Sequence, residues 1–111
     1  MKILNRGFIS VKPTVEFLNW KKSQSQEELF EPENSEATIY LIEEEFWDDD
    51  EIMKKYFKKI AKQEFHGTFE NIENLPTIEN VDDFDKYFQT ELGTFVFDLL
   101  KTPISSENID L

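Results

Sequence analysis

The sequence predicts an α+β fold: a single domain over residues 1–100, with a three-stranded sheet and about three helices packed mainly on one of its faces. The expected order is strand, helix, strand, helix, helix, strand. Two periodic segments and the aromatic content carry this expectation. Residues 37–42 (Ala-Thr-Ile-Tyr-Leu-Ile) are rich in β-branched and aromatic types, whereas residues 48–65 repeat apolar side chains at three- and four-residue spacing. Eleven Phe, three Tyr and two Trp supply large apolar surfaces that a disordered acidic chain lacks. At 111 residues the chain can build a two-layer core without disulfides or a structural metal.

Taken in order, Phe8, Ile9, Ser10 and Val11 form the first strand, which Lys12-Pro13 ends because proline removes a ladder donor. Thr14 is placed to cap a helix through about Lys22, with the Phe17, Leu18 and Lys21 positions making one face and Val15 and Trp20 flanking it. Residues 23–35 turn polar and acidic, with Pro32 and Asn34 as breakers, and predict a long loop pinned by Leu29 and Phe30. Residues 37–42 are apolar on both sides of the alternation, so they are expected to be the central and most buried strand. If this strand pairs parallel with the first, a right-handed crossover follows.

Asp48, Asp49, Asp50 and Glu51 begin the second helix, where carboxylates meet the free amides and the positive end of the dipole. Its buried stripe is Met53, Tyr56, Phe57, Ile60 and Ala61; Lys54, Lys55, Lys58, Lys59 and Lys62 take the solvent side, with Asp50–Lys54 and Glu51–Lys55 as four-residue pairs. Gly67 provides the C-cap. A connector follows over residues 68–79, anchored by Phe69, Ile72, Leu75 and Ile78. Asn80 caps a third helix through about Leu92, Gly93 stops it, and residues 94–100 make the last strand. Residues 101–111 read as a flexible tail.

Asn5-Arg6-Gly7, Val11-Lys12-Pro13, Phe17-Leu18-Asn19-Trp20, the strand Thr38-Ile39-Tyr40-Leu41-Ile42 followed by acids, and the segment from Phe84 to Asp98 resemble a family of small acidic bacterial proteins of uncharacterised function. The likeness runs from about Asn5 to Leu100. It implies one intact bacterial domain and brings no activity or site residue with it.

Charge is sharply segregated. Between Ser23 and Met53 there are twelve acidic residues and no Lys or Arg, while the other twelve carboxylates are matched by the twelve Lys and Arg elsewhere. The whole net charge of −12 therefore belongs to one stretch. Three uses of the acids at 43–51 are open: solvated charge with helix capping, a surface for a partner, or an oxygen-ligand cation site. The last lacks the Asp-x-Asp-x-Asp-Gly spacing of a calcium loop. Phe46 and Trp47 lie between two acid triplets, as core anchors or as aromatic recognition residues inside a charged rim. The candidate partner-binding residues are Glu43, Glu44, Glu45, Phe46, Trp47, Asp48, Asp49 and Asp50.

Other chemistry is sparsely provided for. The chain has no Cys and one His, which excludes thiol nucleophiles and the usual structural zinc sites, and no cofactor is expected. His66 ends a helix, where a cation is favoured in any case. Asp98 stands alone among Phe95, Val96, Phe97, Leu99 and Leu100, either as an edge or Arg6-paired structural acid or as a catalytic one. No phosphate loop, nucleophile elbow or zinc-protease motif is present. The lysine row adjoins an acidic half that repels polyanions, so direct nucleic-acid binding is not expected. Neither a signal-like apolar run nor a membrane span is visible, and the cytoplasm is the expected location.

The expectation is therefore a non-enzymatic binding or regulatory protein that engages a basic partner protein. Two alternatives are an inhibitor that mimics nucleic acid and a small carboxylate enzyme using a divalent cation.

Overall fold

The computed structural model describes residues 1–24, 36–66 and 75–109. Its elements are β1 (Lys2–Ile3), β2 (Gly7–Pro13), α1 (Val15–Gln24), β3 (Thr38–Ile42), α2 (Asp49–His66), α3 (Val81–Tyr87), β4 (Phe88–Gly93) and β5 (Phe97–Asp98). Among the described residues the fold is mixed α and β, with three helices, a three-stranded sheet and a small two-stranded one. The expected pins Leu29, Phe30, Phe69 and Ile72 and the Gly67 cap lie outside the described residues.

The large sheet has the order β3-β2-β4 and is antiparallel throughout, so the parallel crossover does not occur. Cross-strand partners include Ile9 with Tyr40 and Leu92, and Val11 with Thr38 and Thr90. Alternation along the strands turns Ile9, Val11, Ile42 and Phe88 to one face, where they join buried side chains from all three helices. The opposite face carries Ser10, Lys12, Gln89 and Glu91, with Ile39 and Leu41 at one edge.

The most buried strand is β2, not residues 37–42. Ile9 and Val11 are wholly inaccessible, whereas Ile39 and Leu41 of β3 are 56% and 50% exposed. The two-sided apolar pattern of β3 arises because its outer residues form an apolar surface, Leu41 lying opposite Phe8 across the strand pair. The polar outer side of β2 made it look peripheral, although it is the strand with a neighbour on each edge.

The third helix is shorter than expected. Asn80 does cap it, its side chain accepting the Asp83 N–H at 2.8 Å while the Asp83 carboxylate accepts the Glu79 N–H at 3.1 Å. The helix ends at Tyr87, and residues 88–93 pair along the second edge of β2. Val81, Phe84, Tyr87, Phe88 and Leu92 suit a helical stripe, but Phe88, Thr90 and Leu92 equally suit a strand, and the unfilled edge of β2 decides between them. The anticipated last strand shrinks to β5, which pairs with β1.

Thr14 precedes α1 as expected, its carbonyl accepting the Leu18 N–H at 3.1 Å, but its side chain is used elsewhere. Its hydroxyl donates to the Lys86 carbonyl at 2.6 Å and its N–H donates to the Tyr87 carbonyl at 2.9 Å, so the start of α1 is stitched to the end of α3. In α2 the buried residues are Ile52, Met53, Phe57, Ile60, Ala61 and Phe65, close to the expected stripe with Tyr56 at its margin. Asp48 caps that helix, accepting the Asp50 N–H at 2.9 Å. No described helix is long and apolar enough to cross a membrane.

Three rings hold these elements together. Phe17 of α1, Phe65 of α2 and Phe88 of β4 have pairwise centroid separations of 5.2–5.4 Å. Trp20 meets Phe65 edge-on at 4.8 Å, and Phe84 of α3 meets Phe88 at 4.8 Å. Phe65→Ala removes contacts to α1 and β4 together, and is expected to cost about 3–5 kcal/mol of stability in urea unfolding. A loss below about 1 kcal/mol would show that the ring triangle is not the joint between these elements.

Candidate functional site

Residues 43–48 connect the edge strand β3 to α2. Glu43 is fixed at the start of this connection: Tyr56 donates its hydroxyl to one carboxylate oxygen, and the Lys55 ammonium lies 2.7 Å from the other. A second tyrosine runs the opposite way, Tyr40 of β3 donating to Glu64 of α2 at 2.5 Å, with the Thr38 hydroxyl at 3.3 Å from the same carboxylate. Strand and helix are thus braced twice, each giving a tyrosine to a glutamate associated with the other. Lys55 bonds Glu43 instead of its expected partner, Glu51.

The two carboxylates are affected in opposite directions. Hydrogen bonds from Lys55 and then Tyr56 lower the Glu43 carboxyl from its ordinary 4.5 to about 2. Burial pushes Glu64 upward, against the lowering effect of the Tyr40 and Thr38 hydrogen bonds. Tyr40 is itself pushed up, by burial first and then by Glu64.

Beyond Glu43 the chain approaches the start of the central strand. The Gly7 N–H donates to the Glu43 carbonyl at 3.0 Å, and a Cβ at Gly7 would sit 2.7 Å from that oxygen and 3.0 Å from the Phe46 ring. Close approach of backbone and ring requires glycine there. Phe46 is therefore drawn in against the core, and its neighbour Trp47 stands in solvent, 97% exposed.

Trp47 is not isolated. With Ile3, Leu4, Glu44, Glu45, Phe46, Thr94 and Phe95 it lines a cleft of about 330 Å³, in which Phe95 is 73% exposed. Ile3 and Phe95 are brought there by the β1–β5 pairing, which the Leu4 N–H extends by donating to the Val96 carbonyl at 2.8 Å. The acidic side also reaches further than the linear stretch. The carboxyl of Asp85 on α3 is pushed up by burial, then by the nearby charges of Asp82 and Asp50. Acids from α2 and α3 therefore share one field.

The eight sequence-derived candidates have different roles. Glu43 and Asp48 are committed to bracing and capping, and Phe46 to packing. Glu44, Glu45 and Trp47 are exposed and line the cleft, and Asp49 and Asp50 are exposed in the first turn of α2. Sequence reasoning missed Ile3, Phe95 and Asp85. Ile3 and Phe95 are separated by most of the chain, and only the pairing of two short strands joins them.

Other candidates have plainer positions. Asp98 accepts the Leu100 N–H at 2.9 Å, which gives it a turn-forming role in the polypeptide. His66 is exposed at the end of α2. Among the described residues, no three His, Asp or Glu side chains are gathered as a cation site.

No protein-family model matches the chain, and neither a curated protein nor a solved structure is detectably similar to it.

The Glu43 brace makes a pH-dependent prediction. A depressed folded-state value means that its stabilisation is fully present above the unfolded value near 4.5 and is lost as pH falls toward about 2. Glu43→Gln is expected to lower the melting temperature at neutral pH, with the gap to the unsubstituted protein narrowing over that acidic window. A gap that stays constant through the window would remove Glu43 from the stabilising pair.

Proposed function

We propose that this is a cytoplasmic, non-enzymatic binding or regulatory protein whose acidic side engages a basic partner protein. The observation that carries the proposal is Trp47, a tryptophan almost entirely in water beside a cleft lined by Ile3 and Phe95 and rimmed by Glu44 and Glu45. Tryptophan is enriched among the residues that dominate binding energy, and a charged rim guides encounter while the apolar centre gives residence time. The complementary partner carries Lys or Arg around an apolar side chain that enters the cleft next to Trp47. The like-charged group of Asp50, Asp82 and Asp85 adds attraction for such a cation-bearing surface.

The acidic stretch by itself would equally serve solubility. Exposed aromatic side chains beside it favour recognition, because solubilising charge has no use for a tryptophan in water. The carboxylate-enzyme alternative has no gathered ligand set among the described residues. A nucleic-acid mimic would present carboxylates at phosphate-like intervals, and no observation here favours that over a generic acidic rim.

The test is affinity capture from host extract, quantified in parallel for the unsubstituted protein, Trp47→Ala, a variant with Glu44, Glu45, Asp49 and Asp50 changed to their amides, and one with Lys54, Lys58, Lys59 and Lys62 neutralised. Specific partners are expected to be basic, to fall at least tenfold in recovery with Trp47→Ala and with the amide variant, and to persist with the lysine variant. Raising salt should slow association more than it speeds dissociation. Loss with the lysine variant and retention with the other two would place recognition on the α2 lysine face instead.

A further inference from the structure

We propose that the free edge of β3 and the facing side of α2 form a docking groove for an extended segment, and that the chain's own residues 104–109 occupy it through Ile109. β3 is hydrogen-bonded to β2 along one side only, so alternate backbone N–H and C=O groups of residues 38–42 face outward along the other. Edges of this kind accept another extended segment: main-chain hydrogen bonds supply affinity, and side-chain pockets supply selectivity.

A pocket adjoins that edge. A cavity of about 440 Å³ lies between β3 and α2, with Tyr40, Leu41, Ile42, Tyr56 and Ile60 as apolar lining and Lys59 as its cation. The hydroxyls of Tyr40 and Tyr56 are held by Glu64 and Glu43, which leaves the rings as walls. The occupant is identified by Ile109, which, although 67% exposed, lines this cavity from a segment distant in sequence and without regular secondary structure. Glu107 and Asp110 lie close to Ile109 in sequence, and the α2 side of the groove presents Lys59 with exposed Lys62 near it on the helix, Lys55 being held by Glu43. An aliphatic residue in an acidic stretch of sequence therefore suits an apolar floor beside a lysine. This polarity is opposite to that of the Trp47 cleft, so the groove is a separate surface.

Tethering makes such a contact effective in cis, because a short linker holds the segment at an effective concentration in the millimolar range. An external peptide of the same chemistry has to displace it.

The test uses the full chain, whose lack of cysteine allows a single label to be introduced without background. A nitroxide at Asn108→Cys should broaden the amide resonances of residues 38–42 and 56–63, and adding Ile109→Asp should abolish the broadening. A labelled peptide with the sequence of residues 104–111 should bind full-length Ile109→Asp about tenfold or more tighter than the unsubstituted chain, since the internal competitor is removed. Lys59→Glu, a charge reversal at the exposed cation of the groove, should weaken peptide binding to Ile109→Asp at least tenfold. Unbroadened β3 amides, or peptide affinity that is equal or undetectable for both chains, overturns the proposal. Broadening only between differently labelled molecules in a mixture would seat a second copy's segment in the groove and overturn the assignment in cis.

Discussion

The contact on which the architecture depends is the triangle of Phe17, Phe65 and Phe88. Each ring belongs to a different element, and each lies about 5 Å from the other two. Tilted and edge-to-face arrangements at this separation add about 0.5–1.5 kcal/mol per pair beyond the burial of the rings themselves. Phe88 is also the first residue of β4, opposite Pro13 at the end of β2. The triangle therefore fixes where α3 stops and the sheet resumes, and Thr14 secures the same corner through its two bonds to Lys86 and Tyr87.

From that corner the constraints pass along β2 to its other end. Gly7 admits the Glu43 carbonyl and the Phe46 ring at distances that any side chain would block. Phe46 turns inward, and the β1–β5 pair brings Ile3 and Phe95 to the exposed Trp47 beside it. The Glu43–Tyr56–Lys55 and Tyr40–Glu64 braces hold β3 against α2, so the loop between them starts and ends on anchored elements. On the proposed reading, an exposed tryptophan on a braced loop loses little conformational freedom on binding, which is one of the costs of association.

Local signals were legible in the sequence where one element's own residues decided its structure. The α2 stripe, the acids at its start and the Asn80 cap were of this kind. Strand order was not legible, because Ile39 and Leu41 look like buried residues in one dimension and become surface residues only when β2, with its polar Ser10 and Lys12, takes the centre. The Phe88–Gly93 segment carried both periodicities, and its pairing with β2, near the other end of the chain, resolved them. The acidic rim and its aromatic pair could be read directly, but not the division of labour that commits Glu43 and Asp48 to the fold and leaves Trp47 outside. The inward turn of Phe46 follows from the space at Gly7, which no local pattern encodes.

The central functional claim is that Trp47 stands in water within a negative field, and charged quenchers of tryptophan fluorescence test it without a partner in hand. Trp20 is buried against Phe17 and Phe65 and serves as the internal reference. At low ionic strength caesium should quench a large fraction of the emission and iodide much less, and added salt should erase the difference, because the field is screened beyond about 8 Å at physiological ionic strength. Equal quenching by the two ions at low salt, or emission that neither ion reaches, would contradict an exposed tryptophan set in an acidic surface.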